Sequence, residues 1–281
     1  MKIQKYLESI PSLKGKKVLV TGPTSGIGLA LIDHLVKKDA TIVLLARNIN
    51  KINNLMDSYK DIKMDYIIYD QSDYESIDRA VKEIKDKHED FYALVCNAGI
   101  LYPPKGSVSK QGYPLTLDTN YMGLAYFLNK LVPLFKNKRY ILQGSLVASY
   151  RVTEKMSIYD NKPRLFKQYN LSKAGVESLF YHYSVTNKDN IFILTEPGVA
   201  STALFNGFKE PIRTLGKGFI RLVTHSPKKA SLTMLRGLDE SLPNQTYIVP
   251  RGLSAVSGYP RIKRFPKKRI REYLVNQLEN I

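Results

Sequence analysis

The stretch that decides the fold is KKVLVTGPTSGIG, Lys16 to Gly28. A run of β-forming residues ends at Val20, and glycines follow at 22, 26 and 28 with Pro23 among them. Ordered glycines cost backbone entropy, so something local must require them. A strand ending at Val20, a sharp turn at Gly22 and a helix starting near Gly26 supply that requirement. The first amides of a helix point outward with partial positive charge, which suits a pyrophosphate. Gly22 then permits the turn, Gly26 lets the phosphates approach the backbone, and Gly28 lets the helix lie close on the sheet. Pro23 has no N–H to donate, but Thr24 and Ser25 bring hydroxyls and amides. The competing reading is a glycine-rich turn that holds no ligand.

Working outward, strand-like apolar runs recur at 17–20, 41–46, 64–69, 92–96, 139–143, 191–195 and 246–249. Between most of them lie helix-periodic stretches: GLALIDHLVKK (28–38), and DYESIDRAVKEIKDK (73–87), which opens on Asp73 as a cap. Strands alternating with helices predict a parallel sheet covered on both faces. The expected fold is a single doubly wound α/β domain of Rossmann type with a seven-stranded parallel sheet. Residues 1–15 read as an N-terminal extension, 16–250 as a dinucleotide-binding catalytic domain with a substrate loop near 200–226, and 251–281 as a basic C-terminal extension.

The chain of 281 residues, 43% hydrophobic and 24% charged, is long enough for a sizeable core. Its one cysteine, Cys96, excludes an internal disulfide. No apolar run approaches the roughly 18–20 residues of a membrane span. The start, MKIQKYLES, lacks the apolar core of a signal peptide, so a cytoplasmic setting is expected. The net charge of +18 reflects either a lysine-rich background or a polyanionic partner. Seven Lys/Arg residues fall within 261–271. That run is either a docking surface for nucleic acid or an anionic membrane, or a segment that caps a terminal helix or meets a neighbouring subunit.

The order Thr21-Gly22-x-x-x-Gly26-Ile27-Gly28 resembles the signature of the short-chain dehydrogenase/reductase family, and the resemblance runs through about residues 15–250. It implies an oxidoreductase that moves a hydride between a nicotinamide and an alcohol or carbonyl. An acidic residue about 20 positions beyond such glycines usually binds the ribose hydroxyls of NAD. Here Ala46 stands in its place and Arg47 follows. An arginine pairs a 2′-phosphate, so NADP is expected with NAD as the second choice, unless Arg47 is a solvated loop residue. By the resemblance Asp70 lies beside the adenine, and Asn97, Ala98 and Gly99 steady the sheet and leave room for the cofactor ribose.

Carbonyl reduction needs a proton donor. Tyrosine, with a pKa of ~10, needs ~4 kcal/mol of phenolate stabilisation to work near neutrality. A lysine one helical turn away supplies such a field. Tyr-x-x-x-Lys begins at residues 59, 126, 169 and 259 among 19 tyrosines. Only Tyr169, with Lys173, opens a helix between the fifth and sixth strands, over the sheet edge where α/β ligands bind. The resemblance adds Ser145 on the substrate oxygen, Asn120 holding a water behind the lysine, and Pro197, Gly198 and Thr202 on the nicotinamide carboxamide. It also implies a homo-oligomer, dimer or tetramer. The expected catalytic set is Asn120, Ser145, Tyr169 and Lys173. Tyr169 and Lys173 also contact the cofactor.

The Ser145–Tyr169 spacing of 24 residues exceeds the family's usual dozen. The extra stretch 150–167 is either a flap, bringing Ser149, Tyr150 and Tyr159 near the pocket, or a surface excursion. The segment after Thr202 is similar to the retinol-dehydrogenase-like branch. Leu204, Phe205, Phe208 and Phe219 would then face an apolar substrate, or else fill core. A dinucleotide-binding regulatory protein without turnover is the alternative function.

Overall fold

The computed structural model describes residues 2–101, 103–150, 152, 165–199, 226–252 and 255–277. Its strands are β1 (Lys17–Thr21), β2 (Thr41–Ala46), β3 (Met64–Ile68), β4 (Ala93–Cys96), β5 (Arg139–Gln143), β6 (Ile191–Thr195), β7 (Thr246–Pro250) and β8 (Pro260–Lys263). The helices are α1 (Ile3–Glu8), α2 (Gly26–Val36), α3 (Ile49–Asp57), α4 (Tyr74–Lys87), α5 (Leu115–Leu117), α6 (Gly123–Leu131), α7 (Leu165–Thr186), α8 (Pro227–Ala230), α9 (Leu232–Gly237) and α10 (Glu272–Asn276). A π-turn, Asp118–Met122, joins α5 to α6.

The sheet runs β3-β2-β1-β4-β5-β6-β7-β8. All pairings are parallel except β7–β8, which is antiparallel. The expected seven parallel strands are present, and the sheet count is corrected to eight. Strand β8 reads Pro-Arg-Ile-Lys, with none of the apolar pattern of a core strand. As an edge strand it tolerates proline and charge.

Alternation along the strands sorts the core into two faces. Leu19, Val43, Leu94, Leu142 and Leu194 pack with α4, α6 and α7. Val18, Val20, Ile42, Leu44, Val95 and Ile193 pack with α2 and α9. Both faces being covered, the strands read as continuous apolar runs. Helix α1 belongs to the second layer, where Tyr6, Leu7, Ile10 and Leu13 are buried.

Strand order reverses between β1 and β4, opening the crevice in which ligands of such sheets bind. Among the described residues no helix is long and apolar enough to cross a membrane. The basic run is only partly a surface feature: Lys263, Arg264, Lys267 and Lys268 are exposed, whereas the Arg269 guanidinium is buried against carboxylates.

Candidate functional site

At the reversal the ends of β1 and β4 are tied together. The Thr21 hydroxyl accepts from the amides of Asn97 and Ala98, both at 3.0 Å. Asn97 Nδ2 donates to the carbonyls of Thr21 at 3.0 Å and Gly22 at 2.9 Å. This closeness is why glycine is required. Gly22 has φ +64°, and a Cβ on it would lie 2.9 Å from Ala98 Cα. A Cβ on Gly28 would lie 2.1 Å from the Gly22 carbonyl oxygen. The turn therefore presents bare backbone at the start of α2, a cradle that side chains would fill. It fits the pyrophosphate of a dinucleotide.

A cleft of about 850 Å³ opens over this turn. Gly22, Thr24, Ser25, Gly26, Ile27, Gly28, Arg47, Asp70, Asn97, Ala98, Gly99, Tyr169 and Lys173 all line it. The glycine turn and the Tyr169–Lys173 pair thus share one space. Lining residues not foreseen include Asn48, Lys51 and Gln71, at the end of the cleft beyond β2 and β3. Asn48 caps α3, its side chain accepting from the Lys51 amide at 3.0 Å, and an Asn-x-x-Lys start to a helix was a readable signal.

At the same end Arg47 is mostly exposed, with Nη1 3.4 Å from Asp70 Oδ2. Asp70 Oδ1 accepts from the Ser72 amide and hydroxyl. The expected Asp73 cap is altered. Asp73 occupies the N-cap position of α4 without a capping bond, and its carboxylate pairs with Lys110 at 2.5 Å.

At the other end Tyr169 and Lys173 sit one turn apart on α7. Lys173 is 6% exposed. Its Nζ donates to the Gln143 carbonyl at 2.9 Å and lies 6.0 Å from the Tyr169 ring centre. Burial pushes its pKa down to about 8, against the opposing pull of Glu177 one turn further along α7.

Asn120 lies in the π-turn, a local widening often used to aim a side chain at a site. Its Oδ1 accepts from the Ile100 amide at 2.7 Å, and its Nδ2 donates to the Ile100 carbonyl at 2.8 Å and to Ser172 Oγ at 3.2 Å. A Cβ on Gly99 would lie 3.2 Å from Asn120 Oδ1 and 3.8 Å from Lys173 Nζ, so both groups converge on Gly99.

Ser145 begins the turn after β5, next to a 3-10 segment at 146–149. Ser145, Asn120, Pro197 and Gly198 do not line the cleft as described. Pro197 is buried and Gly198 takes φ +72° just past β6. Thr202, Tyr159, Leu204, Phe205, Phe208 and Phe219 lie outside the described residues, and Tyr150 is exposed. Behind α7, Glu177, Glu196 and Arg269 form a buried charge cluster that the sequence reading did not find.

The family model described as short chain dehydrogenase matches residues 16–211. The chain belongs to that family, oxidoreductases acting on CH–OH and C=O groups with NAD(P). It is similar to the short-chain dehydrogenase/reductase pkfC of Emericella nidulans, 27% identical over 87% of this chain and 86% of the other. It is also similar to a polyprenol dehydrogenase of Danio rerio, 22% identical over 82% of this chain and 75% of the other. Three further fungal relatives are matched over only 38%, 55% and 59% of their own lengths. Among solved structures, L-sorbose reductase from Gluconobacter frateurii, complexed with NADPH and L-sorbose, shares the fold. Its TM-score is 0.65 at 21% identity, over 82% of this chain and 91% of the other.

Proposed function

We propose that this chain is an NADP-dependent oxidoreductase interconverting an alcohol and its carbonyl compound, with an apolar substrate. The observation that carries the reading is the convergence of the glycine turn and the Tyr169–Lys173 pair on one cleft. A nicotinamide cofactor supplies the hydride when bound. The Tyr169 hydroxyl donates the proton to the carbonyl oxygen in reduction and takes it back in oxidation. Lys173, buried and one turn away, supplies the positive field that favours the phenolate. The Ser145 hydroxyl polarises the substrate oxygen, and Asn120 connects Lys173 to the proton supply. Pro197, Gly198 and Thr202 hold the carboxamide end.

The preference for NADP is supported by Ala46 where an acid would repel a 2′-phosphate, and by two cations, Arg47 and Lys51, on the cleft wall at that end. The Asp70 carboxylate offsets part of that charge at 3.4 Å from Arg47, so the expected discrimination is modest. The apolar substrate is supported by the phenylalanines of the 200–226 segment and by similarity to a relative named for polyprenol.

Calorimetry of NADPH and NADH on the wild type and on Arg47→Ala tests the reading. NADPH should bind more tightly, and Arg47→Ala should weaken NADPH about tenfold while leaving NADH nearly unchanged. Binding of neither nucleotide would remove the basis of the catalytic reading.

A further inference from the structure

The basic run 261–271 is the motif that the proposed reaction leaves unused, and the structure withdraws its Arg269 from the surface. Arg269 ends a short 3-10 turn after β8, and its side chain is 12% exposed. It joins four separate parts of the fold. Nε donates to Glu177 Oε2 at 3.0 Å, and Nη2 also bonds Glu177 Oε1, both on α7. Nη2 donates to Glu196 Oε1 at 2.8 Å, just past β6. Nη1 donates to the Tyr247 hydroxyl on β7 at 3.0 Å. Nη2 donates to the carbonyl oxygen of Ser145 at 3.2 Å. The Tyr247 hydroxyl in turn donates to Glu196 Oε1 at 2.6 Å.

Both carboxylates are fully buried, and Glu196 Oε2 has no hydrogen-bond partner among the described residues. Buried ions of this kind give little net stability compared with an apolar packing of equal volume, so stability alone is a weak reason to place them here. Their location offers a better one. Glu177 stands one helical turn beyond Lys173, as Lys173 stands one turn beyond Tyr169, and the guanidinium that holds Glu177 also holds the Ser145 turn.

We propose that Arg269 is a positioning residue of the catalytic centre, pinning the Ser145 turn to α7 and favouring the charged form of Glu177, the carboxyl one turn beyond Lys173. This rests on the reading of Tyr169 and Lys173 given above. Burial, and after it the neighbouring Glu196, push the Glu177 pKa up to about 8, while Arg269 foremost and Arg271 pull it down; the charged carboxylate in turn supports the Lys173 ammonium. Without Arg269 the Glu177 pKa rises further, and its carboxyl stays neutral into the alkaline range in which Lys173 titrates. A neutral Glu177 withdraws support from the Lys173 ammonium, and the Tyr169 phenolate loses its field. Tyr169 then titrates higher.

The test reads that titration directly and needs no substrate. The protein is labelled with [13Cζ]tyrosine, its NMR spectrum is followed from pH 6 to 11, and the Tyr169→Phe spectrum identifies the Tyr169 signal. Wild-type Tyr169 should titrate below the usual ~10. Arg269→Gln should raise that midpoint by about one pH unit, Arg269→Lys should recover at least half of the shift, and Glu177→Gln should reproduce it with Arg269 in place. If Arg269→Gln does not fold, Glu177→Gln, which leaves the guanidinium paired with Glu196, carries the test and should show the same shift. A lowered melting temperature with an unmoved Tyr169 midpoint overturns the inference alone. A wild-type midpoint at the ordinary tyrosine value overturns the reading of the site itself, and this inference with it.

Discussion

In the half of the sheet from β1 to β4 the cleft is shaped by missing side chains. Gly22 and Gly28 sit where a Cβ would strike Ala98 or the Gly22 carbonyl, and Asn97 stitches the two strand ends with neutral hydrogen bonds. In the half from β5 to β8 the supports are buried titratable groups: Lys173, Glu177, Glu196 and Arg269. The two constructions respond to different perturbations. A close-packed backbone turn is sensitive to volume and indifferent to pH, whereas a buried charge set tolerates small changes in shape but depends on protonation. Binding a nucleotide needs a fixed surface. Moving a proton needs a tunable field.

The largest effect should follow from breaking the charged half at its centre. Tyr169→Phe removes the proposed proton donor and keeps the ring, so turnover of NADPH with the best carbonyl from a substrate panel should fall by ~10³. Nucleotide affinity should change less than about threefold, because the glycine turn is untouched. A comparable loss of nucleotide affinity would show that the two halves are not separable. Next in size is Gly28→Ala, whose methyl group would meet the Gly22 carbonyl at 2.1 Å and Asn97 Nδ2 at 2.6 Å. Overpacking of this kind costs about 3 kcal/mol. The loss, measured by urea unfolding, should be the same at pH 6 and pH 9, since no titratable group is involved.

The same division explains what could be read from the sequence. Strands β2, β5 and β6 fall on the residues expected, because each is an unbroken apolar run in a sheet covered on both faces. Tyr169 and Lys173 were singled out by a four-residue spacing and their place in the strand order, both legible along the chain. Glu177 lies four further on along the same face of α7 and could have been found the same way. Arg269 could not. Its bonds to Glu177 and Ser145 span 92 and 124 residues, and in the sequence it is one of seven cations in a run that looks uniformly solvated. Strand β8 was missed for a related reason: Arg261 and Lys263 are tolerated only because β8 is an edge, and that position is known only after β7 has been placed.

One residue tests how cleanly the halves divide. Asp118 begins the π-turn between β4 and β5, and its carboxylate is fully buried. Burial pushes its pKa up to about 6, although the Tyr74 hydroxyl donates to it at 3.2 Å. The folded pKa lies above the unfolded value, so the neutral acid favours folding. Its contribution is complete below the usual carboxylate range and is lost as pH rises through about 6. Between pH 5 and pH 8 the wild type should lose roughly 1–1.5 kcal/mol from this group. Asp118→Asn keeps the shape without the titration. The difference in urea-unfolding stability between variant and wild type should therefore move in favour of the variant by that amount over the same interval. Because Asn120 lies two residues along the same turn, a second readout is available: nucleotide binding by Asp118→Asn should match the wild type at pH 5. A stability difference that does not change with pH would mean that water reaches the carboxylate and that pH sensitivity is confined to the β5–β8 half. The predicted change would carry buried-charge control across the strand-order reversal, into the segment that aims Asn120 at Gly99 and Lys173.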